Sequence, residues 1–148
     1  MEALLQNRIL WLTLAVTMTA QALKVLIELL IEKKLDLRRM GETGGMPSSH
    51  SAAVSCLAVS MGLTKGFGSP FFTISAVLAV VVIYDSTGIR QAAGKHAEII
   101  NEMSNELADL IEHGYQPQKL KTLLGHTYPQ AVAGIALGIV AALMFARQ

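Results

Sequence analysis

Charge is scarce in this chain of 148 residues: only 16% are Asp, Glu, Lys or Arg, where an average soluble domain carries roughly 25%. Aromatic residues are few as well, at 5%, although 52% of the chain is hydrophobic. The apolar mass is therefore Leu, Ile, Val, Ala and Met, the composition of lipid-facing helices. Net charge is +1, which removes the basic footprint that nucleic-acid binding requires. Cys56 is the single cysteine. It excludes an intrachain disulfide and a cysteine-based metal cluster, and in its apolar run it needs no chemical role. The length suits one domain.

What the chain has in quantity is long apolar stretches. Ile9 to Ile31 is long enough to span a bilayer core, which takes about 20 residues. Further spans are expected over 47–64, 70–85 and 129–146, each borrowing a turn from its flanks. Arg8, a short apolar run and Ala20-Gln21-Ala22 resemble a cleavable signal, but the run continues through Ile31, so a retained first helix is expected. Between the third and fourth spans, His96 to His113 reads as an amphipathic helix. Ile99, Ile100, Met103, Leu107, Leu110 and Ile111 fall near one stripe and Glu98, Glu102, Glu106 and Asp109 on the other side. The fold class read from this is all-α: an integral membrane bundle of about four transmembrane helices plus one cytoplasmic or interfacial helix.

Topology follows from the basic residues. Lys33, Lys34, Arg38, Arg39, Arg90, Lys95, Lys119 and Lys121 lie on one side, against Arg8, Lys65 and Arg147 on the other. Eight against three places both long polar segments in the cytoplasm and both termini outside. A site assembled between those segments would then sit at one membrane face.

Two stretches on that face hold chemistry-bearing residues. Gly44-Gly45-Met46-Pro47-Ser48-Ser49-His50-Ser51 combines glycines that allow close backbone approach, a proline suited to the first helical position, and serines that cap. The open N–H groups of such a helix start attract anions, and His50 stands in the first turn beside them. An ordinary capped helix with an incidental histidine is the plain alternative. Gly125-His126-Thr127-Tyr128-Pro129 puts a second histidine before the last span. Two imidazoles suit phosphoryl transfer through a covalent intermediate: one attacks phosphorus and the other protonates the leaving alkoxide. Lys24 lies inside the first span with Gln21 and Glu28 on the same helix face. A buried cation costs about 2.5–3.5 kcal/mol on insertion scales, so it should face the bundle. A self-satisfied Lys24–Glu28 pair is the other reading. Asp85 and Arg90 close the third span, either as a surface pair or as part of a site.

The two histidine stretches resemble the signatures of the type 2 phosphatidic acid phosphatase superfamily, which is related to the vanadium haloperoxidases. The closer similarity is to its divergent branch of small membrane proteins. It rests on the Gly44 to Ser51 stretch, on Tyr84-Asp85-Ser86-Thr87-Gly88-Ile89-Arg90 through Ala93-Gly94-Lys95, and on Leu124-Gly125-His126-Thr127. The resemblance implies metal-independent phosphomonoester hydrolysis without a cofactor. It casts His126 as the nucleophile and His50 as the general acid. Ser48 and Ser49 hold phosphoryl oxygens, helped by cations among Lys24, Arg38, Arg39, Arg90 and Lys121.

Departures from the superfamily pattern are specific. The carboxylate expected four residues after the nucleophilic histidine is Gln130, with Asp85 as a candidate replacement. The arginine expected six residues before it is Leu120, flanked by Lys119 and Lys121. The implied partners are membrane lipids and a lipid phosphate substrate, at the plasma membrane. Self-association of so thin a bundle stays open. A non-catalytic protein that keeps the fold and an anion pocket is the second reading, and a transporter subunit, suggested by Lys24 and Glu28, the third.

Overall fold

A computed structural model describes residues 2–33, 44–110, 118–122 and 124–146, and among these the chain is helical with no strand. The elements are α1 (Glu2–Leu5), α2 (Arg8–Glu32), α3 (Ser49–Lys65), α4 (Pro70–Tyr84), a π-helical turn (Asp85–Ile89), α5 (Arg90–Leu110) and α6 (Tyr128–Phe145). Among the described residues three helical stretches are long and apolar enough to cross a membrane: Arg8–Leu30, Pro70–Ala108 and Tyr128–Phe145. The fourth, α3, has 17 residues. At 1.5 Å per residue it spans about 25 Å, short of the roughly 30 Å hydrocarbon core.

The arrangement inverts that of a soluble domain. Phe71, Ile74, Val77, Leu78, Val80 and Val81 of α4 are exposed, while Ser49, Ser51, Ser55 and Ser60 of α3 are buried. Large apolar side chains face outward, where lipid replaces water, and small or hydroxylated ones fill the interior. Val16, Ala20, Ala52, Cys56 and Ala142 form the core cluster. The chain is thus a membrane helical bundle built around α3, which packs against α2, α4 and, most extensively, α6.

The α3–α6 contact depends on small residues. A Cβ on Gly134 would run into the Ser48 carbonyl oxygen, and one on Gly138 into the Ala52 carbonyl oxygen. With Ala131 and Ala142, also buried, these glycines form a stripe that lets the two backbones approach closely. The register of these contacts runs in the same direction along both helices. Consequently α3 and α6 are parallel, and both start at the same end of the bundle. The Ser48 N–H ties those starts together by donating to the Gln130 carbonyl at 3.0 Å.

Two expectations need correction. No loop separates the third span from the amphipathic helix. One helix continues from Pro70 to Ala108, and its polar part starts at Arg90, not His96. The polarity change at Asp85 suggested a break, but residues 85–95 contain no proline, and a π turn absorbs the change without ending the helix. Pro47 does not open α3 either. It precedes the N-cap Ser48, whose side chain accepts from the Ser51 N–H at 3.2 Å, and the Met46–Pro47 peptide is cis.

Candidate functional site

His50 and His126 meet where the two parallel helices begin. His50 is the second residue of α3, and His126 immediately precedes Thr127, the N-cap of α6. Their ring centroids are 6.2 Å apart and the planes are inclined by 56°. Both positive helix ends therefore point toward one site. His50 is exposed, whereas His126 is 2% exposed and its Nε2 is buried with no hydrogen-bond partner.

The loop that delivers His126 is pinned along α5. Asn101 donates to the Leu120 carbonyl at 2.9 Å and accepts from the Leu120 N–H at 2.8 Å. At Gly94 the loop crosses so closely that a Cβ would lie 2.6 Å from the Thr122 carbonyl oxygen. Gly125 then adopts φ +78° against the π turn, where a Cβ would lie 2.7 Å from the Ser86 carbonyl oxygen. The π turn gives this docking its reason. Arg90 N–H reaches back five residues to the Asp85 carbonyl, and the Ser86 carbonyl accepts from the His126 N–H at 2.9 Å. Gln91 adds a longer bond, 3.4 Å, from its amide to the His126 carbonyl.

Cations surround the pair. Lys24 is 1% exposed, and its side chain runs beside Gly45, where an added Cβ would sit 2.9 Å from the lysine Cδ. Gly45 has φ +89°, so its backbone as well as its contact favours glycine. Arg90 pairs with Asp85 at 2.6 Å across a half-exposed surface. Burial lowers the His126 pKa from its ordinary 6.5; the Gln130 side chain opposes this, and the Lys24 and His50 charges reinforce it. The Gly45 backbone, near the ring without meeting hydrogen-bond geometry, opposes it most weakly. His126 is accordingly a neutral imidazole at pH 7.

Two cavities share Gly125 and His126. One, of about 160 Å³, is lined by His50, Val82, Asp85, Ser86 and Arg90. The other, of about 240 Å³, is lined by Gly44, Gly45, Gly94, Lys95, Glu98 and Gln130, among others.

Of the residues singled out from sequence, His50, His126, Asp85, Arg90 and Lys24 come together here, with Ser48 and Ser49 buried at the α3 start. Lys121 is exposed and lines neither cavity, whereas Lys95 lines one. Arg38 and Arg39 lie outside the described residues. Asp85 does not meet the His126 ring: it bonds Arg90, and the Nδ1 of His126 faces Gln130 Oε1 at 3.3 Å. Among the described residues no group of three or more His, Cys, Asp or Glu side chains is placed to hold a metal ion. Gln91 and Lys95 were given no role at the site from sequence, and Gln130 was noted as a missing carboxylate. The resemblance through Gly94-Lys95 was the sequence signal for Lys95, and the spacing from His126 the signal for Gln130.

Fold and site together define a membrane helical protein with paired histidines at the common start of two helices. The model of the Divergent PAP2 family matches residues 5–141, and the chain belongs to that family. It is also 39% identical over 152 residues to a Bacillus subtilis (strain 168) protein named "Uncharacterized membrane protein YuiD", covering 97% of this chain and 96% of that one. No solved structure matches the chain.

Proposed function

We propose that this protein is a membrane-embedded phosphatase that hydrolyses lipid phosphomonoesters through a phosphohistidine, without metal. The observation that carries the reading is the His50–His126 pair, 6.2 Å apart at two converging helix N-termini beside the buried Lys24. In the first step the Nε2 lone pair of His126 attacks phosphorus. The ester P–O bond breaks, and the departing alkoxide takes a proton from His50. In the second, water attacks phosphorus, the P–N bond breaks, and His50 receives the water proton. Lys24, Arg90, the Ser48 and Ser49 groups and the open helix N–H groups are suited to the phosphoryl oxygens. Asp85 acts through Arg90, holding the guanidinium at the cavity wall. Arg38, Arg39 and Lys121 add positive charge in the two segments that the charge bias assigns to the cytoplasm, which draws anionic substrate.

The lipid substrate is inferred from position, since the site opens at the bundle end beside lipid-facing α4. The eight-to-three bias of basic residues supports a cytoplasmic site face, and the plasma membrane is the location this reading assigns. One observation favours a second reading, a non-catalytic protein with an anion pocket: Gln130 supplies no negative charge to His126.

Phosphate release decides between the two. Purified protein in detergent, with excess chelator, is offered a panel of lipid phosphates beside His126→Ala. Release that survives chelation and disappears in the variant is expected. No release from any lipid by folded protein would favour the non-catalytic reading instead.

A further inference from the structure

We infer that Gln130 is a positioning residue that locks His126 in the tautomer carrying its proton on Nδ1. The locking rests on two hydrogen bonds to one atom. Gln130 Oε1 accepts from the Thr127 backbone N–H at 3.1 Å, and the same oxygen lies 3.3 Å from His126 Nδ1. A backbone N–H only donates, so the bond to Thr127 decides which end of the Gln130 amide points inward. With an oxygen there, Nδ1 must donate. The proton is on Nδ1, and the lone pair is left on Nε2, the buried atom with no partner.

This deepens the phosphatase reading and rests on it for its catalytic meaning. The residue that departs from the superfamily carboxylate keeps one of its two effects. It orients the ring and selects the tautomer, but gives no charge to an imidazolium. A glutamate at 130 accepts both hydrogen bonds and restores the charge. The groups facing His126 stay the same: Lys24 from α2, His50 from α3, Asp85 and Arg90 at the π turn, and Lys95 and Glu98 from α5.

Imidazole ¹⁵N spectra of the full-length protein in detergent test this without reference to activity, with the His126 signal assigned by its loss in His126→Asn. Wild type and Gln130→Glu are expected to carry the proton on Nδ1, and Gln130→Leu to shift population toward the Nε2 tautomer. Wild type already protonated on Nε2 overturns the inference, as does a Gln130→Leu spectrum identical to wild type. Should Gln130→Leu fail to fold, the wild-type spectrum still decides. With a lipid phosphate that is turned over, Gln130→Leu should lose roughly 10²–10⁴-fold in kcat with KM little changed. Gln130→Glu should stay active and move the acidic limb of kcat/KM upward by roughly one to three pH units. An unmoved limb also overturns the inference. Absent turnover with an Nδ1 proton leaves the tautomer lock standing and removes the phosphatase reading alone.

Discussion

His126 is held by burial on one side and by its Gln130 partner on the other, and its protonation follows from both. Burial disfavours the imidazolium, and the Lys24 charge adds to that. The sign for catalysis is direct: protonation removes the attacking lone pair, so rate falls as pH drops through the His126 pKa. Because that pKa lies below 6.5, the acidic limb of kcat/KM set by His126 should be centred below 6.5 with a slope of about tenfold per unit, while loss of the His50 proton sets a separate alkaline limb. A pH profile on any accepted lipid phosphate checks this; an acidic limb centred at or above 6.5 contradicts it. Much of this neighbourhood was readable from sequence. His50 and His126 each stood beside a glycine- or proline-marked helix start, and charge bias put both starts on one face. Lys24 was readable because a lysine in an apolar helix must find a polar interior. Gln130 was not, since a missing carboxylate reads as a loss until the Thr127 N–H is seen to orient its amide.

Among the elements, the α3–α6 pair sets the distance between the histidines. Gly134 sits where the α6 backbone meets the carbonyl of Ser48, the α3 N-cap two residues before His50. Gly134→Leu should force the helices apart, at a cost of about 1–3 kcal/mol from overpacking. Thermal unfolding in detergent should show the loss of stability, and phosphate release should fall further than stability alone explains. Unchanged stability would show that the contact is looser than described. The neighbour of Gly134 could not be read from sequence, because helix pairing is a long-range property. The π turn was also hidden. Ser86-Thr87-Gly88 looks like a break between a span and a surface helix, yet it keeps the helix continuous and leaves the Ser86 carbonyl to the His126 N–H.

The whole molecule is a small membrane bundle with an inside-out distribution of side chains: hydroxyls and glycines within, large apolar groups toward lipid. That much followed from composition, because four apolar stretches in 148 residues leave too little polar surface for water. The role of α3 did not follow. It is short and rich in serine, and as the central helix it presents the buried Ser48 and Ser49 and the accessible His50 at one end. Family membership and this geometry support a common account in which the bundle end is a phosphoryl-transfer site. Its central claim is a covalent intermediate on one atom of one residue. Rapid acid-free quenching after mixing with a ³²P-labelled lipid phosphate, followed by peptide mass spectrometry, measures that claim directly. A base-stable, acid-labile phosphate on His126, lost in His126→Ala, is the predicted result. Turnover with no label on His126, or with label on another residue, would contradict it.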